Sequence, residues 1–131
     1  MLNSIRASVT INCGDTPNEV TVPGTLIISP NHPSDYDNSQ NCRTVIRFTQ
    51  GQRVLLQFLS FNLESSSTCS YDYLQIRDGD TESANPIGSK LCGDQIPNQI
   101  VSSGNTMYMY FHTDGSTVRS GFKLRVDVGK K

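Results

Sequence analysis

Four cysteines with wide and similar gaps constrain this chain more than any other feature. They stand at Cys13, Cys42, Cys69 and Cys92, with successive separations of 29, 27 and 23 positions. No C-x-x-C pair occurs and only two histidines are present, so the pattern does not suit a structural zinc site, whose ligands come in closely spaced pairs. An even cysteine count points instead to two disulfides formed in an oxidising compartment, and so to a secreted or extracellular protein. Four cysteines can pair in three ways, and spacing alone leaves all three open. A consecutive pairing would close two moderate loops, each stabilising by about 3–4 kcal/mol through its effect on the unfolded chain.

Between the cysteines the chain reads as strand and turn. Short stretches rich in β-branched and aromatic residues predict strands at Glu19–Val22, Thr25–Ile28, Cys42–Thr49, Arg53–Asn62, Tyr73–Asp78, Ile100–Ser102, Thr106–Phe111 and Gly121–Val128. Turn formers separate them, among them Pro23-Gly24, Ser29-Pro30-Asn31-His32-Pro33, Gly51-Gln52, Asp78-Gly79-Asp80 and Ser103-Gly104-Asn105. Met107, Met109 and Phe111 share one face of their strand, a core pattern, while Tyr108 and Tyr110 share the other. In Arg53–Asn62 apolar residues occupy both faces, which predicts burial on both sides at one end. No window has helical periodicity, and this spacing of strands predicts an all-β sandwich or barrel.

With 131 residues the chain suits one domain. A net charge of −1 with scattered basic residues gives no nucleic-acid face, and no apolar run approaches the roughly 20 residues of a membrane span. The opening MLNSIRASVT lacks an apolar signal core, so residues 1–12 read as a stub or linker and residues 129–131 as a tail. Neither G-x-S-x-G nor H-E-x-x-H occurs, which argues against an enzyme. His32 and His112 read as surface imidazoles, and Asp78 and Asp80 as turn formers around Gly79.

The motifs, taken together, carry a family likeness. Cys13-Gly14, then Gly24-x-Leu26-x-Ile28-Ser29-Pro30-Asn31-His32-Pro33-x-x-Tyr36 and Cys42, resemble the opening of a CUB domain. Phe58-x-x-Phe61-x-Leu63-Glu64, Cys69-x-Tyr71-Asp72-Tyr73-Leu74-x-Ile76-x-Asp78-Gly79, Leu91-Cys92-Gly93, Phe111-x-x-Asp114 and Gly121-Phe122 follow in the family's order. Three positions depart from it: His32 and Thr44 stand where tyrosine and tryptophan are common, and the last strand lacks an aromatic. The resemblance covers residues 13–128 and implies an antiparallel two-sheet β-sandwich of jelly-roll type with Cys13–Cys42 and Cys69–Cys92 paired.

Many members of this family bind one calcium ion, and the matching positions here are Glu64, Asp72 and Asp114. The resemblance adds a backbone oxygen near Ser116 and gives Tyr36 the task of supporting the carboxylates. Calcium takes six to eight oxygen ligands, so three acids with carbonyls and waters form a suitable shell. By the same resemblance, Tyr36, Glu64 and Asp114 would receive a lysine from a protein partner, making the chain a non-catalytic interaction module. Asp80, read first as a turn former, could together with Glu82 lie near that partner-binding end. Two alternatives are a spermadhesin-like glycan-binding module, with Tyr108 and Tyr110 as a stacking surface, and a structural spacer in a larger extracellular protein.

Overall fold

Alternating apolar and polar residues place every second side chain on one side of a strand, and two apolar faces closed on each other exclude water. A computed structural model describes residues 7–129, which form ten strands in two five-stranded sheets and contain no helix. The first sheet has the order β1 (Ser8–Thr10), β3 (Leu26–Ile28), β10 (Gly121–Gly129), β5 (Arg53–Asn62) and β8 (Ile100–Val101). The second has the order β2 (Asn18–Val20), β4 (Asn41–Arg47), β9 (Thr106–His112), β6 (Tyr73–Asp78) and β7 (Asn85–Pro86). Strands β1 to β6 alternate between the sheets, the wiring of a jelly roll. Pairing is antiparallel except at β1–β3 and β2–β4, which are parallel.

The expected strands agree with the observed ones to within two residues at each end. Two short edge strands were not expected. Ser8–Thr10 lies in the segment read as a stub, yet it pairs with Leu26–Ile28, and Ile11 just after it is 2% exposed. Asn85–Pro86 was hidden by its proline, which a sheet tolerates only at an edge.

The expectation for β5 is corrected. Val54, Leu56 and Phe58 are buried, Leu59 is 47% exposed, and Phe61 is buried again. Phe58 pairs with Leu124 and Ser60 with Lys123, so Leu59 is the extra residue of a β-bulge. The bulge shifts the alternation by one and returns Phe61 to the core face. One side of the strand is therefore buried throughout, with Phe61 on it because of the slip, while Leu55 is half-buried on the other side and Leu59 is exposed.

Met107, Met109 and Phe111 line the core opposite Phe122, Leu124 and Val126. Phe111 meets Phe122 and Tyr36 edge-to-face at 5.0 and 5.3 Å, contacts that each add about 0.5–1.5 kcal/mol beyond burial. The disulfides are Cys13–Cys42 and Cys69–Cys92, as the family likeness implies.

Two positions expose the local energetics. Thr44 is 1% exposed and its hydroxyl is buried without a hydrogen-bond partner. Thr44→Val keeps the shape and removes the orphaned group, so it should stabilise the domain by about 1 kcal/mol, read as a higher urea midpoint with an unchanged slope. Gly121 has φ +85°, and a Cβ there would collide with Ser29 Oγ, which accepts the Phe122 N–H at 2.9 Å. Gly121→Ala should therefore cost roughly 2–4 kcal/mol, measurable in the same titration.

Candidate metal centre

Loops at one end of the sandwich carry the acidic residues, and each is fixed by contacts to the core. After β5, Leu63 is buried and its N–H donates to the Gly93 carbonyl at 2.9 Å, which leaves Glu64 at the rim. The Cys69–Cys92 disulfide ties the same loop to the residue beside Gly93. The loop thus reaches Asp72, fully buried just before β6, under restraint at both ends. Asp114 follows β9. Its neighbour Thr113 donates through its hydroxyl to the Asp37 carbonyl at 2.9 Å and accepts the Gln40 N–H at 2.8 Å. The Ser39 N–H donates to the Asp114 carbonyl at 2.7 Å. These bonds join the Asp114 loop to the β3–β4 loop, which contributes Tyr36.

Carboxylate oxygens of Glu64, Asp72 and Asp114, one from each, lie within 4.8 Å of one another. Tyr36 joins two of these loops: its hydroxyl donates to Asp72 Oδ2 at 2.5 Å and accepts the Glu64 N–H at 3.2 Å. The Asp114 N–H donates to Asp72 Oδ1 at 2.8 Å. Asp72 therefore has a donor on each oxygen. Glu64 does not, because its Oε1 is buried with no partner. Ser116 is exposed, and its N–H donates to Asp114 Oδ1 at 3.3 Å, which steadies that carboxylate.

Burial is the main reason the Glu64 carboxyl is held above the usual range, and the charges of Asp114 and Asp72 push it further, against the opposing Arg119 guanidinium. Asp72 is likewise raised, first by burial, while its bonds from Tyr36 and the Asp114 N–H pull the other way. The Tyr36 phenol is pushed far up by burial and by donating to Asp72, so it stays protonated and remains a donor. Three crowded carboxylates, one with an orphaned buried oxygen, form a site with no ion pair among the described residues. All the donors are hard oxygens, which fit calcium better than a soft metal.

The likeness to the family's site gathers Tyr36, Glu64, Asp72 and Asp114 at this end and Ser116 on the adjoining loop. It does not identify Thr113, Ser39 or Arg119, which hold or neighbour the cluster. Nothing local marks Thr113, whose partners are 73 and 76 positions away. Asp80 and Glu82 lie elsewhere, which corrects the expectation for them. They follow β6 at the end remote from Asp72, a span of roughly 20 Å, where Asp80 pairs with Arg47 at 3.1 Å and Glu82 with Arg43 at 4.0 Å. His32 is half-buried, with Nδ1 2.7 Å from the Ser120 carbonyl, and His112 lies 2.8 Å from Asn41 Oδ1.

Comparison with known proteins agrees with this architecture. The CUB domain family model matches residues 13–126. Human tolloid-like protein 1 is 42% identical over 101 residues, 77% of this chain and 10% of that protein. The exoskeleton protein RP43 of Riftia pachyptila is 39% identical over 125 residues, 95% of this chain and 29% of that protein. This chain therefore spans well under half the length of these relatives. Among solved structures, the CUB1-EGF-CUB2 domain of human MASP-1/3 superposes with a TM-score of 0.78 at 29% identity, over 92% of this chain and 44% of that one. The MASP-1 CUB2 domain bound to Ca2+ gives 0.74 at 29% identity, over 84% of this chain and 96% of that one. The chain belongs to the CUB domain family, whose members typically serve as extracellular protein-interaction modules within multidomain proteins.

Proposed function

We propose that this domain acts outside the cell as a non-catalytic module that binds one calcium ion through Glu64, Asp72 and Asp114, and through that site a lysine of a protein partner. The carrying observation is the buried, unpartnered Oε1 of Glu64 beside two further carboxylates. A buried acceptor with no donor is costly, and a cation is the simplest group that satisfies it together with its neighbours. The likeness to a calcium-bound MASP-1 CUB2 domain supports the same choice of ion. The Ser116 main-chain carbonyl is the further protein ligand proposed, with waters filling the shell. Calcium would supply the positive charge that lets three carboxylates remain ionised together.

The residues divide the work by exposure. Asp72 is buried and held by Tyr36 and the Asp114 N–H, so it serves the metal alone. Glu64 and Asp114 are only partly buried and can present an oxygen outward. A compact ammonium group meeting those oxygens, beside the Tyr36 hydroxyl, would make charge-assisted hydrogen bonds. One such contact is modest, so affinity would grow by linking several domains in one assembly.

Calcium should raise the thermal midpoint, by an amount equivalent to about 2.7 kcal/mol at free calcium 100-fold above Kd, with magnesium giving far less. Asp114→Ala should remove both that rise and binding to the lysine-bearing partner. Partner binding that survives the substitution and chelation together would overturn the lysine assignment. Tyr36→Phe deletes the donor to Asp72 while keeping the ring, and should weaken calcium binding roughly tenfold by calorimetry with the fold retained.

A further inference from the structure

The outer face of the second sheet carries a second constellation, distinct from the acidic loops. The register of β4, β9 and β6 aligns Asn41 with His112 and Tyr73, Arg43 with Tyr110 and Gln75, and Val45 with Tyr108 and Arg77. Their neighbours Cys42, Phe111 and Leu74 point into the core, so these rows face outward. Rings fill the centre and cations the flanks. The Arg43 guanidinium sits 5.3 Å from the centre of the Tyr110 ring, and Lys90 Nζ 4.2 Å from that of Tyr73. Tyr110 and His112 stack with planes 20° apart. Together they bound a shallow depression of about 290 Å³, with Tyr108 at its floor and Glu82 among its lining. Tyr108 is 4% exposed, so it offers no stacking surface of the kind expected for it, and Tyr110 is covered by Arg43.

We infer that this face binds an anionic glycan, a chain of sugars bearing sulfate or carboxylate groups. Charge complementarity is the first ground: Lys90 and Arg77 have no ion pair among the described residues, and the Tyr73 ring holds Lys90 in place of a carboxylate, while Arg43, over the Tyr110 ring, also pairs with Glu82 at 4.0 Å. Lys90 and Arg77 therefore meet an anion without first breaking a salt bridge. The second ground is the kind of hydrogen bond on offer. The face lies in the middle of a sheet whose backbone groups are taken by neighbouring strands, so an extended peptide finds no edge to pair with. What remains is side chains: the Gln75 amide, tyrosine hydroxyls and the Glu82 carboxylate, a mixture of donors and acceptors that suits sugar hydroxyls. A sugar hydroxyl can donate to the Glu82 carboxylate, a bond that the carboxylates of an acidic peptide cannot make.

The test is calorimetric titration of the whole chain with a size-defined heparin oligosaccharide, with neutral dextran and poly-glutamate of similar charge as comparators. Measurable binding to heparin that falls steeply with salt, at least tenfold tighter than to poly-glutamate and absent for dextran, is the expected result. Lys90→Gln, at an exposed position, should weaken it about threefold and the Lys90→Gln, Arg77→Gln pair at least tenfold, while Lys123→Gln on the opposite sheet leaves it unchanged. Binding should persist in chelator and in Asp114→Ala, which separates this face from the proposed calcium site. Equal affinity for poly-glutamate would assign the face to an acidic protein instead. Retention of heparin binding in the double variant, or its loss in chelator, would overturn the proposal.

Discussion

The hydroxyl of Tyr36 is the contact on which the acidic end of this domain depends. Its ring is packed edge-on against Phe111 and is 1% exposed, so the ring belongs to the core. Its oxygen belongs to the site, donating to Asp72 and accepting from the Glu64 main chain. One side chain thus converts the rigidity of close packing into the position of two acids. Without such an anchor, three carboxylates on two loops would relax apart, because repulsion and the pull of solvent both favour separation. Gly121 belongs to the same arrangement: an added Cβ would come within 3.5 Å of the Tyr36 ring and collide with Ser29, so the start of β10 must remain bare.

The two cross-links serve this end differently. Cys69–Cys92 lies inside the loop that runs from Glu64 to Asp72 and restricts it directly. Cys13–Cys42 fastens the N-terminal segment to β4, away from the acids in sequence but within the sheet that carries Asp72 and Asp114 at its rim. Hydrogen bonds from Thr113, Ser39 and Asp114 complete the frame. The site is therefore strained electrostatically while its framework is over-determined, the arrangement expected of a preformed binding site.

Much of this was legible in the sequence. Strand positions follow from alternation, and Tyr36, Glu64, Asp72 and Asp114 follow from the order of family motifs. What escaped is non-local. The bulge at Leu59 is set by pairing with Lys123 and Leu124, more than sixty positions away, so strict alternation along β5 misread its faces. Ser8–Thr10 becomes a strand only because β3 offers an open edge. The burial of Tyr108, whose outward position alone suggested exposure, depends on Arg43, Arg77 and Val45 closing around it. Thr113 looks like any loop threonine until its distant partners are in place.

The register of the first sheet fixes where neighbouring polypeptide can attach. Ser8 aligns through Leu26 with Arg125 and Thr10 through Ile28 with Lys123, so β1 and β10 run in opposite directions. Ser8 therefore lies level with the middle of β10; Gly129 marks one pole of the sandwich, and Asn62, opposite Gly121, marks the pole that bears Glu64. The C-terminal end of β10 therefore lies at the pole away from the acids. A domain joined after β10 would then leave the carboxylate cluster clear of that junction, open to approach by a molecule from another chain.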